Sequence, residues 1–397
     1  MKNKTNNNNS TRAEILLNIL KGDSSQLASY LSTWTSVTAA IEFLVNPTIG
    51  RLSDAFGRKK FMMLSPYAAV ILKTWVLLRP SLLSLTTERI VCDGLRTLCG
   101  TTMGQTCITD LVDPKEIGNE ISSLYAYMGL AIIGSPLIAA QMSARGTYKA
   151  AVLLAAIQLV ADQFYLKETL KKDQRREFKG FANPFEFFKL FTSGPALASI
   201  CTVMALQFTV DPKIMADPWF TMQMGTLKWT RKHSQLFTAF IGLGLLVGRK
   251  FTAKTLHPTK GIGASGHTTL TNAVTVVENL ILGFAPSSAS MLLVAVLSWI
   301  GGQRMNGVKQ MASSVAFDAS KSNYVFGKGE FSGLTANLRA LIVAATPLIH
   351  TKAYQAGLKM GSTGGAFVTA GVFVLIAEYV HRKYACATTT TTPSKTD

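Results

Sequence analysis

The feature that most limits this chain is the bunching of its apolar residues. Runs of about 17–25 residues, almost free of charge, alternate with short polar connections. They fall at about 27–48, 61–79, 86–109, 117–141, 148–166, 194–212, 234–251, 268–286, 288–311, 333–353 and 364–381. About 20 residues at about 1.5 Å each cross a hydrocarbon core of about 30 Å. In lipid each backbone N–H and C=O needs a partner, and a helix supplies one within its own segment. The expected fold class is all-α: a polytopic membrane protein with about eleven spans. The average of 48% hydrophobic residues would not decide this, because soluble domains reach it too.

Between the first two runs lies Gly50-Arg51-Leu52-Ser53-Asp54-Ala55-Phe56-Gly57-Arg58-Lys59-Lys60. A short, strongly basic connection between spans belongs on the cytoplasmic side. The glycines permit close approach of helix ends and a tight turn. Asp54 between Arg51 and Arg58 offers a fixed acid–base cluster at the membrane surface. With this connection inside, the inside connections hold 21 Lys and Arg and the outside ones 9, the bias that insertion favours. The segment before residue 27 adds four to the outside without reversing it. The net charge of +18 is thus accounted for by loops, and nucleic acid is not an expected partner.

The pattern G-x-L-x-D-x-x-G-R-K-K resembles the signature stretch of the major facilitator superfamily, where it joins the second and third spans. Arg96-Thr97-Leu98-Cys99-Gly100 resembles the R-x-x-x-G segment of the fourth span in the drug–proton antiporter branch, and Arg89 is a weaker rival for that arginine. Around Pro136 the branch's Gly-Pro step is degraded, with Ser135 before the proline and Ala131 and Ala139-Ala140 at the spaced positions. These small residues still allow close packing, and Pro136 still bends the helix. Leu166-Lys167-Glu168-Thr169-Leu170 is similar to the end of the sixth span. The stretch from Gly327 through Glu330, Gly333, Asn337 and Arg339 to Pro347 is similar to the entry to the eleventh.

The resemblance implies two helix bundles working by alternating access. The expected division is a polar segment at 1–26, an N-terminal bundle of five spans at 27–166, a cytoplasmic linker at 167–193, a C-terminal bundle of six spans at 194–381, and a low-complexity tail at 382–397. A complete family member has twelve spans. None precedes residue 27, so the chain is expected to lack the first, through a lost beginning or by nature. Thr11 to Lys21 is too short to cross and is expected as an amphipathic turn at the membrane surface.

Ionisable groups inside spans are expensive and become candidates for function. Arg89, Asp93 and Arg96, at i, i+4 and i+7, share one helix face. Asp93 between two arginines is expected to stay ionised, and a purely structural trio is the competing reading. Arg304, among Gly301, Gly302 and Gly307, sits in a loosened helix facing a polar cavity or snorkels to the interface. Glu278, at mid-span, and Glu42 are candidates for titration, Glu42 being tied to the inside gate. Glu378 and Arg339 receive no role. The resemblance assigns Gly50, Asp54, Gly57 and Arg58 to that gate, with Asp110 as the expected partner of Arg58.

The expected function is secondary active transport of a small organic solute, with protons or the solute's own gradient as the driving force. The arginines hint at an anionic or strongly polar solute. A non-transporting relative, such as a sensor, scaffold or truncated copy, is the alternative. No paired nucleophile and base, phosphate loop or metal spacing appears, so neither an enzyme nor a cofactor is expected. Lipid, solute and protons are the expected partners of a monomer in the plasma membrane or an internal membrane. Asn3 and Asn9 match glycosylation acceptors.

Overall fold

The computed structural model describes residues 11–101, 103, 104, 107, 111, 117–170, 175, 177, 178, 180, 181, 183–256, 261–318, 320, 322–326 and 328–385. Among these the regular structure is helical, without strands. The chain forms two compact units. The first comprises Met1–Pro184 with Gln223–Ala239, and the second Phe185–Met222 with Phe240–Asp397.

The first unit begins with α1 (Thr11–Ile19). The segment expected as an amphipathic turn is a nine-residue helix. Ala13, Glu14 and Leu16 are buried, and α1 packs against three helices of its unit. The reason is Arg12, whose side chain is drawn to an acid in the bundle. Asp23 caps α2 (Ser24–Phe56), accepting from the backbone of Ser25 and Gln26 at 2.9 and 3.0 Å. α2 has 33 residues and carries the signature stretch as helix as far as Phe56. The chain turns only at Gly57, where φ is +97°, a conformation that suits glycine. α3 (Arg58–Leu78) follows at once.

Ser81 and Ser84 form a reciprocal cap on α4 (Leu82–Leu95), which continues as a π-helical turn over Arg96–Thr101. Such wide turns often mark functional positions. α5 (Ile117–Ala139) contains Pro136, and α6 (Ala144–Tyr165) is capped by Ser143. α3 is the central helix, flanked by α4 and α6.

In the second unit, α7 (Pro195–Phe208) and α8 (Pro212–Thr221) are separated by a short break, and Asp211 caps α8. α9 (Arg231–Thr255) runs across the division between the units. α10 (Gly263–Phe284) is the central helix, packed on α11 (Ser288–Gly301), on α12 (Arg304–Ala316) and on α14 (Gly365–Val380). α13 (Lys328–Lys359) packs on α14 and contains Pro347. By length and composition, three helices of the described residues can cross a membrane: Arg58–Leu78, Phe331–Lys359 and Gly365–Tyr384. The expected spans fall on helix where they are described, although the 194–212 run breaks at 209–211 and the 288–311 run at Gly302 and Gln303.

Close packing in the second unit depends on missing side chains. A Cβ on Gly364 would collide with the carbonyl of Gly283, so α10 and α14 meet backbone to backbone. Gly364→Val is expected to cost about 1–3 kcal/mol through overpacking. A thermal melt in detergent should show a clear drop for this variant. Gly333→Ala, placed where nothing lies within 4 Å, should leave the melt unchanged.

Candidate functional site

The first unit gathers six charged side chains where α1, α3 and α4 meet. Glu88 is fully buried, at 0% exposure, yet both of its oxygens are used. Arg12 donates from Nε to Oε2 at 2.8 Å and from Nη2 to Oε1 at 2.9 Å. Lys73 Nζ reaches Oε1 at 2.6 Å and also lies over the Tyr148 ring, 5.8 Å from its centroid. One turn further along α4, Arg89 meets Asp93 at 2.7 Å and donates to Thr35 Oγ1 at 3.1 Å. Arg96 stands 3.6 Å and Arg12 3.8 Å from the same carboxylate. The trio Arg89, Asp93 and Arg96 expected from spacing is therefore assembled. It is half of a larger cluster with four cations and two acids.

Lys73 and Glu88 were open to sequence reasoning, because both are ionisable groups inside apolar runs. Arg12 was not, since it lies in a polar segment and its partner is 76 residues away. The cluster has one tight member, Glu88, and one loose member, Arg96, whose side chain is 72% exposed.

The signature stretch forms a second cluster. Arg58 Nη1 bonds Asp54 at 2.5 Å and also donates to Ser53 Oγ. Glu168, from the segment after α6, accepts the backbone N–H of Arg58 at 2.8 Å and that of Leu170 at 3.2 Å. It thereby caps the first turn of α3, where a carboxylate is favoured by unpaired N–H groups and the helix dipole. A Cβ at Gly57 would strike the Glu168 carboxylate, so the glycine is required by space as well as by φ. Lys59 Nζ bonds the carbonyl of Gln163 at 2.9 Å. Gly50 lies within α2, and Glu42 is buried in the same helix. Asp110, expected opposite Arg58, lies outside the described residues. Ser135 and Pro136 sit side by side in α5, the serine exposed and the proline buried.

In the second unit, α10 buries a polar face that includes His267, Thr271, Asn272, Thr275 and Glu278. Glu278 is 7% exposed, and its Oε1 has no hydrogen-bond partner among the described residues. It lies against Gly301, where a Cβ would run into that oxygen. Arg304 is buried beside the same glycine, donating to Gly301 O at 3.4 Å and to the carbonyl of Val210. The break between α7 and α8 is held by further bases. Arg339 bonds Asp211 at 2.7 and 3.0 Å, and His350 Nε2 donates to Thr209 O at 3.0 Å. Arg339, given no role from the sequence, is thus a clamp on a broken helix. Glu378 accepts from Asn272 at 2.9 Å and from Arg382 at 2.7 Å.

Helices with buried charge, a broken span and a glycine-hinged basic turn define a membrane transport fold, and comparison with known proteins agrees. The sequence profile of the Major Facilitator Superfamily matches residues 13–347, and the chain belongs to that family. It is 24% identical over 381 residues to the class C tetracycline resistance protein of Escherichia coli, covering 95% of this chain and 92% of that one. Among solved structures it resembles the human organic anion transporter MFSD10 (TETRAN), with a TM-score of 0.64 at 17% identity, over 94% of this chain and 96% of that one. It also resembles a POT family transporter in complex with a thioalcohol conjugated peptide, with a TM-score of 0.69 at 14% identity, over 96% and 93% of the two chains. These structures share its fold. The protein is a multi-pass membrane protein of a transporter family and not an enzyme.

Removing the Glu88 carboxylate would leave Arg12 and Lys73 without their shared acid. Glu88→Ala is expected to destabilise the first unit by about 3 kcal/mol, the lower end for a broken buried pair because both bases keep some solvent contact. Glu88→Gln, which keeps an acceptor, should cost less. Melting in detergent checks the ranking, and equal melts would show that the charge is not what holds α1.

Proposed function

We propose that this protein is a secondary active transporter of a small organic solute, working by alternating access and coupled to protons. Glu278 carries the proposal. A carboxyl group buried in a central helix, with one oxygen unpartnered among the described residues, is costly to keep ionised. Such a group suits a load that binds and leaves, and a proton is the smallest one. Arg304 beside the same glycine supplies the charge against which a change in Glu278 would register.

In this reading Gly50, Asp54, Gly57, Arg58 and Asp110 belong to the inside gate, with Glu168 fixing the turn. Arg89, Asp93, Arg96, Arg304 and Glu278 serve solute and proton. Ser135 and Pro136 set the packing and bend of α5. The relative named for tetracycline resistance makes tetracycline the first solute to try.

The test is flux in proteoliposomes with a pH-sensitive dye trapped inside. Adding solute should move protons in the unaltered protein. Glu278→Gln should abolish that proton movement while solute counterflow persists. Equal proton movement in both proteins would sink the role of Glu278. No flux of any solute would favour a non-transporting relative.

A further inference from the structure

The first unit holds a groove that runs from the charged cluster toward the far end of α6. α3 forms its floor, and α4 with its π-turn and α6 form its walls. Its volume is about 550 Å3. That falls within the roughly 300–1,000 Å3 of sites that hold drug-sized molecules.

Its middle is small and apolar, lined by Pro66, Ala69, Cys99, Leu154 and Ala155. Polar groups stand at its ends. Lys73, Asp93 and Arg96 are at one, fixed by the Lys73–Glu88 pair. Gln158 and Asp162 are at the other, Gln158 Nε2 donating to Asp162 Oδ2 at 3.4 Å. At the first end Glu88 is saturated by Arg12 and Lys73, and Asp93 is met at 2.7 Å by Arg89. Four bases face two acids there. Arg96 is the base left over: its side chain has no hydrogen bond among the described residues and only a 3.6 Å approach to Asp93.

The geometry points to a binding site, within the first unit alone, for an amphipathic organic monoanion. Its carboxylate or sulfonate meets Arg96, its apolar body lies along α3 and α6, and Asp162 rejects a second acid at the far end. An arginine fork and an acid make a strong, directional pair. This inference rests on the transporter reading in taking the occupant to be a solute.

The experiment uses the full chain in detergent and reads dansyl fluorescence directly. Dansylglycine, a monoanion, should bind, and dansylcadaverine, a cation bearing the same fluorophore, should not. Arg96→Ala should weaken dansylglycine binding by about tenfold or more, the usual weight of a charged hydrogen bond. Arg96→Lys should weaken it less, and Asp162→Asn should leave it equal or tighter. Ala155→Trp, which fills the groove, should abolish it. Equal binding of both dyes, or of neither, overturns the site. So does dansylglycine binding that Ala155→Trp leaves unchanged. Binding is read without flux. Its absence leaves the transport reading standing, and its presence without flux leaves a binding protein.

Discussion

Glu88 keeps a carboxylate where water does not reach, and the first unit is arranged around answering it. A lone ion at that depth would cost several kcal/mol. Here two bases from two other helices share the charge, so α1, α3 and α4 are tied at one point. In lipid, apolar contact between helices gives little net drive, because the tails are as apolar as leucine. A triple charge contact therefore fixes register where greasy surfaces would leave it free. The second acid, Asp93, extends the same logic by one turn and ends on an arginine that is only loosely engaged.

The second unit solves the same problem differently. Its helices are drawn together by glycines that let backbones touch, at Gly283 with Gly364 and at Gly307 with the Ala264 carbonyl. Dispersion and close carbonyl contacts replace charge as the glue. Among its acids, Asp211 and Glu378 are bonded across helices, and Glu278 has an oxygen without a hydrogen-bond partner among the described residues. Glu88 in the first unit thus has both oxygens used, while Glu278 in the second keeps one with capacity to spare.

Much of this was legible in the sequence. Apolar runs located the helices, since about 20 continuous apolar residues are the length a helix needs in lipid. A spacing of three and four residues was enough to bring Arg89, Asp93 and Arg96 to one face, and mid-run position singled out Glu278. What escaped has a common cause: partners far apart in sequence. Arg12 finds Glu88, Arg339 finds Asp211 and Glu168 finds the first turn of α3 only once the helices are packed. The stretch from Gly50 to Lys60 also turned out to be helix with a single turning residue. Two glycines in one stretch do not tell which of them bends, and only Gly57 has the positive φ. The Gly283–Gly364 contact was hidden because glycine is common in such runs and its neighbours are set by packing.

The length of α2 carries a consequence of its own. Its 33 residues make about 50 Å of rod, well beyond a hydrocarbon core of about 30 Å. Tilt absorbs some of the excess, and Pro47 allows a bend. In a bilayer the remainder would lie beyond the hydrocarbon, bearing Arg51 and leading into Lys59 and Lys60. Each basic residue near an anionic leaflet gains about 1 kcal/mol. Any pull of anionic lipid on Arg51 would reach α3 through the single turning residue, Gly57.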